Sequence, residues 1–147
     1  MKKSILLKAI LILLPVLAVG LATTVNSVTV FNTLTGQTEY YSYFDMLPVE
    51  NLKLVTPLTA LLAALSGILA VAYIANKRLS FLKAAGYVAL ASSCAAAIPM
   101  MVREEILVIP NVGLPIFMVL EFFAAYMLEK NEKAKEKKIL KVKRKNK

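Results

Sequence analysis

Pro115-Ile116-Phe117-Met118-Val119-Leu120-Glu121-Phe122-Phe123-Ala124-Ala125-Tyr126-Met127-Leu128 is an apolar run with one acid at its centre. Read as a membrane span, it makes the number of spans even and puts both termini on one side. A carboxylate at that depth costs roughly 2.5–3.5 kcal/mol on insertion scales. Glu121 therefore needs a partner, a proton or a wet cavity.

The rest of the chain fits that reading. Its 147 residues are 59% hydrophobic, above the ~45–50% of an ordinary soluble domain. About 20 apolar residues make a helical span. Stretches of that kind run from about Ile5 to Val25, Leu54 to Ala75 and Phe81 to Val102. The fourth ends at Leu128 and covers about 110–128, its helix proper beginning near Val112 or Leu114. The crowding of Pro110, Asn111, Gly113 and Pro115 and the β-branched pair Val108-Ile109 favour extended chain before it. Residues 1–128 are thus expected to form one membrane domain, an all-α four-helix bundle, followed by a basic tail over 129–147.

Charge orients the spans. Lys2, Lys3 and Lys8 flank the first; Lys77, Arg78 and Lys83 flank the turn between the second and third. The tail from Glu129 to Lys147 holds ten basic and three acidic residues. The outer loop 26–53 carries Glu39, Asp45 and Glu50 against Lys53, and Arg103-Glu104-Glu105 is net acidic. The positive-inside rule places both termini and the 76–80 turn in the cytoplasm of a bacterial cell, and parity agrees. The expected location is the cell membrane, multi-pass, with the tail against anionic lipid head groups. The N-terminus has a competing reading as a cleaved signal peptide, with small residues near Gly20 to Ala22. The apolar run Ala9 to Val25 exceeds the ~7–15 residues of such a peptide, which favours a retained span.

Helices pack in lipid by close backbone approach. Span two offers Ala63 and Gly67 at a four-residue spacing. Span three is dense in small residues, among them Gly86, Ser92 and Ser93, and reads as the buried centre of the bundle; a homo-oligomer seam is the alternative. Cys94, the one cysteine, reads there as a small packing residue. Pro15 and Pro99 are expected to kink their helices.

Val28 to Leu34 and Thr38 to Phe44 alternate as two strands, with Gly36-Gln37 as a two-residue turn. Pairing Thr35 with Thr38 sets Val30 opposite Tyr43 and Thr33 opposite Tyr40. Ile106 to Ile109 supplies a third strand, so a small extracytoplasmic sheet is expected on the bundle. Tyr40, Tyr41, Tyr43 and Phe44 then form an outer surface, either anchoring at the membrane interface or contacting a protein partner that the sequence does not identify.

The order of one span, a β-rich first outer loop and three more spans resembles the claudin layout. The claudin signature, a Gly-Leu-Trp and two cysteines in that loop, is absent, and no claudin function is carried over. The lysine-rich ends and short loops resemble those of small four-span bacterial membrane proteins. Small multidrug-resistance transporters also combine four spans with an intramembrane glutamate, but theirs lies in the first span.

Glu121 admits three roles. It is held by a tyrosine hydroxyl or by Lys8 and fixes helix register; it is a protonatable or cation-binding carboxylate; or it snorkels to the inner surface. Lys8, Tyr73, Tyr87 and Lys83 stand at similar depth. The chain has no histidine, no paired aspartates, no metal motif and no phosphate loop. No enzyme, metal or cofactor is expected. The two functions left are an accessory or interaction protein working through its outer loop, and a small proton- or cation-coupled transporter built on Glu121.

Overall fold

The computed structural model describes residues 2–24, 26–101 and 106–145. The acidic turn expected at Arg103-Glu104-Glu105 falls outside them, as do Val25 and Val102, the expected ends of two spans. Four long helices form: α1 (Lys2–Ala22), α2 (Val55–Asn76), α3 (Leu79–Met101) and α4 (Gly113–Lys145). Three strands, β1 (Val28–Asn32), β2 (Thr38–Tyr41) and β3 (Ile106–Pro110), and a short 3-10 turn at Glu50–Leu52 complete the order.

Each helix packs beside the next in sequence and α4 closes against α1, so the four make a ring. The α2–α3 seam is the most extensive and α1–α2 the least. Lys77 ends α2 in the left-handed region (φ 54°), its N–H donating to the Tyr73 carbonyl. That geometry is a common helix stop, and it lets the chain reverse into α3 at Leu79. The lysine-rich segments lie at this end of the ring and the strands at the other.

Three of the helices are long and apolar enough to cross a membrane: Ser4–Ala22, Val55–Asn76 and Leu79–Pro99. The apolar part of α4, from Gly113 to Leu128, rises only about 24 Å before the helix continues as a charged rod to Lys145. Helix α4 begins at Gly113, between the Val112 and Leu114 expected for the start of the helix proper, because Pro110 closes β3. The Asn111 side-chain oxygen then accepts from the Gly113 N–H at 2.8 Å.

The sheet is antiparallel with order β2-β1-β3, and the expected third strand pairs with β1. The β1–β2 register differs from expectation. Val30 faces Glu39 and Phe31 faces Thr38, a slip of four residues from the Val30–Tyr43 pairing. An even slip leaves every side chain on its original face, so hydrophobic alternation cannot select between the two. The turn decides. The Asn32 carboxamide accepts from the N–H groups of Leu34 (3.0 Å) and Thr35 (3.1 Å). Gly36 takes φ +69° and donates to the Asn32 carbonyl at 2.9 Å. The loop therefore spans residues 33–37.

The packing of the helices is inverted relative to a soluble bundle. The buried positions of α2 are Thr56, Thr59, Ala60, Ala63, Ser66, Ala70 and Tyr73, while Leu58, Leu61, Leu65 and Ile68 point outward. Helix α3 repeats the pattern, with Ala85, Ala89, Ser92 and Ala96 inside and Leu90 and Ile98 outside. Small residues bring the axes together, and the large apolar side chains are left on the outer surface. Cys94 is exposed on that surface, which corrects its reading as a packing residue. Helix α3 is a member of the ring and not its hub, although its span is the most buried of the three (44%, against 28% and 33%).

Candidate functional site, the polar layer at the bundle centre

Two apolar clusters fill the ring. One, at the sheet end, includes Ala18, Ala60, Ala63, Leu114 and Met118. The other, at the lysine end, includes Leu11, Ala70, Leu82, Ala125 and Leu128. Glu121 lies between them on α4, three residues from Met118 and four from Ala125, and is 0% exposed. Its neighbour is Ser66 of α2, itself fully buried, between Ala63 and Ala70 on the inward face. Helices α2 and α4 stand diagonally across the ring, so this pair crosses the bundle axis.

Ser66 Oγ is 3.0 Å from Glu121 Oε2 and 2.8 Å from the Ala63 carbonyl oxygen. A serine hydroxyl has one proton to donate. The carbonyl can only accept, so an ionised Glu121 must share the single Ser66 proton with Ala63, whereas a neutral acid can donate to Ser66 while Ser66 donates to Ala63. That chain is complete only for the neutral carboxylic acid. Glu121 has no ion-pair partner among the described residues, and an unpaired charge at that depth is costly. Among the described residues, Glu121 Oε1 has no hydrogen-bond partner.

Further hydroxyls fasten the same interior toward the sheet. Ser92 Oγ donates to the Thr59 carbonyl at 2.9 Å, joining α3 to α2. Ser93 Oγ donates to the Pro115 carbonyl at 3.2 Å, joining α3 to α4. Gly86 sits against α4, where an added methyl would come within 3.2 Å of the Ala125 Cβ. Gly67 likewise sits against Pro15, at 3.1 Å. Ala63 is buried in the core.

None of the partners expected for Glu121 reaches it. Tyr87 is 67% exposed on the outer face of α3. Lys8 places its Nζ 6.0 Å from the Tyr73 ring centroid, a contact between α1 and α2. Lys83 lies 3.7 Å from Glu129, a surface pair of small energetic value. Ser66 was the partner to find, and its signal was faint: it is the deepest hydroxyl of α2, set among alanines at helical spacing.

The outer aromatics also divide. Tyr40 and Phe44 are exposed and Tyr41 is half-buried. Tyr43 is fully buried, which corrects its place in an outer surface. Its N–H donates to the Ala22 carbonyl at 3.0 Å and its hydroxyl to the Asn111 carbonyl at 3.1 Å. It thereby ties the loop to the end of α1 and to the entry of α4. Burial raises the pKa of its phenol. The Tyr41 hydroxyl donates to Glu39, and this bond, with some burial, raises the Tyr41 pKa. Asp45 accepts the Ser42 N–H at 2.7 Å, and this bond lowers its pKa. Neither a protein-family model, nor a curated protein, nor a solved structure matches the chain.

Proposed function

We propose that this chain is a four-span integral protein of the bacterial cytoplasmic membrane, with both termini inside, that acts as an accessory or interaction module through its outer sheet. The inverted packing supports the membrane part. Leu13, Leu17, Leu58, Leu65, Leu90, Ile116, Leu120 and Phe123, from all four helices, are exposed together, far beyond the apolar patches of soluble monomers. The short apolar part of α4 is accommodated by local thinning or by flanking lysines. The basic tail then lies along anionic head groups, each basic residue near the surface contributing about 1 kcal/mol.

The observation that carries the interaction reading is the enclosed setting of Glu121, which is 0% exposed. The acid is sealed between two apolar clusters with Ser66 as its partner, an arrangement that fixes the register of α4 across the ring. The exposed chemistry is then at the sheet. Strand β2 is an edge strand, and Leu34, Tyr40, Phe44 and Met46 are exposed around it. Edge strands with aromatic neighbours accept an added strand from a partner. The transporter reading keeps one observation in its favour, the unpartnered Oε1.

A photo-crosslinking residue at Tyr40 or Met46 in living cells should give one discrete adduct, unaffected by Glu121→Gln, with none from Leu65. In a Cys94→Ala background, an impermeant maleimide should label Thr38→Cys in intact cells and leave Lys135→Cys unlabelled. Proton or cation flux in proteoliposomes that Glu121→Gln abolishes would overturn the interaction reading.

A further inference from the structure

The α1–α2 seam is the loosest in the ring, and it holds an open apolar groove of about 440 Å3. Ile12, Val16 and Val19 line it on one side and Ala64, Gly67 and Val71 on the other. The groove faces outward, where a membrane protein meets lipid. Pro15 and Gly67 bring the two helices into contact at its floor, where an added methyl on Gly67 would meet the Pro15 ring at 3.1 Å, and the groove opens outward from that contact.

The lysine end of the groove is basic. Lys8 is one turn before Ile12 and therefore on the same stripe of α1. Lys77 and Arg78 follow the last turn of α2 and are exposed. No acid pairs with any of these three among the described residues. The lining of the groove on α1, from Ile12 to Val19, rises about 10 Å, a third of a hydrocarbon core of ~30 Å. A partner's transmembrane helix would need a groove through both halves; an acyl chain needs one.

We propose that this groove holds one acyl chain of an anionic phospholipid from the inner leaflet, its phosphate held by Lys8 and Arg78. The inference goes beyond the role of the outer sheet, and it rests on the membrane reading. Lysine points its ammonium toward the helix N-terminus and the interface, where the phosphate lies. The chain then fills the seam that the side chains of α1 and α2 leave open.

Native mass spectrometry of the detergent-solubilised protein tests this, after delipidation and titration with phosphatidylglycerol or phosphatidylcholine of the same acyl chains. The expected result is one retained phosphatidylglycerol per chain. Lys8→Gln should lower the preference for phosphatidylglycerol about five-fold, the worth of one basic residue at the surface. Ala64→Phe, which fills the groove, should lose both lipids while circular dichroism still reports the parent's helix content. If that variant misfolds, the parent and Lys8→Gln titrations decide alone. Equal retention of the two lipids by the parent, no retained lipid, or a dimer in which the groove of one copy cross-links to another would each overturn the proposal. Release of the protein from membranes without detergent would instead overturn the membrane reading, and the proposal with it.

Discussion

Ser66→Ala removes one hydroxyl from the centre of the ring and leaves the backbone unchanged. It strips Glu121 Oε2 of its partner, so both carboxyl oxygens are then buried and unbonded. A buried polar group left unsatisfied costs about 1–3 kcal/mol, and polar contacts between membrane helices measure about 0.6–2 kcal/mol. The higher helix propensity of alanine returns about 0.5 kcal/mol. The net expectation is a loss of about 1–2 kcal/mol. Glu121→Gln should cost less than about 0.5 kcal/mol relative to that scale, because a carboxamide N–H can donate to Ser66 Oγ where the acid O–H did. Glu121→Ala should cost about 2–4 kcal/mol, the range for a core truncation that leaves a cavity. Equilibrium unfolding in mixed micelles with rising dodecyl sulfate, followed by far-ultraviolet circular dichroism, orders the variants. The reasoning rests on a neutral acid acting as donor. A loss above ~3 kcal/mol for Ser66→Ala, the mark of a stranded buried ion, together with a gain for Glu121→Gln, would refute it.

Asn32→Ala should speed hydrogen exchange at the amides of Leu34 and Thr35 and destabilise the hairpin by about 1 kcal/mol, since two donors lose their acceptor. The outer layer should also respond to pH at both ends. Asp45 has a lowered pKa in the native state. Its contribution is present above the ordinary ~3.9 of the unfolded chain and is lost as pH falls through the native value. Asp45→Asn should flatten the acid limb of a melting-temperature profile. Tyr43 has a raised pKa, so its contribution is complete below ~10 and is lost as pH rises further. Tyr43→Phe should flatten the alkaline limb while lowering stability at neutral pH through the lost bond to Asn111.

The helices and the third strand were legible because their signals are local. Long apolar stretches set α1, α2 and α3, and the prolines around Asn111 marked where extended chain gives way to α4. The β1–β2 register was not legible from alternation. It follows from one carboxamide, Asn32, gathering the turn amides, and from Gly36 in the left-handed region. Tyr43 misled for a related reason. Its place in an aromatic run suggested a strand, yet the backbone leaves the sheet after Tyr41 and turns the ring inward. A buried tyrosine with a bonded hydroxyl and an exposed one look alike in sequence.

The partner of Glu121 was hidden by geometry of another kind. Sequence and topology give the depth of a residue along its helix, and depth alone nominated Lys8, Tyr73, Tyr87 and Lys83. Whether two residues meet depends also on the order of helices around the ring and on the rotation of each. Here the small residues decide both. Ala63, Ser66 and Ala70 turn one narrow face of α2 to the axis, and Met118, Glu121 and Ala125 turn the facing stripe of α4 to the same line. Larger side chains on either stripe would hold the diagonal helices too far apart for a 3.0 Å contact. Tyr87, at a comparable depth on α3, is rotated outward because Ala85 and Ala89 occupy the inner face. The same economy that sends Leu58, Leu61 and Leu65 outward thus leaves room at the axis for one acid and one hydroxyl. The burial of Glu121 is then a consequence of packing by small residues, and its contact with Ser66 sets α4 against α2 across the ring.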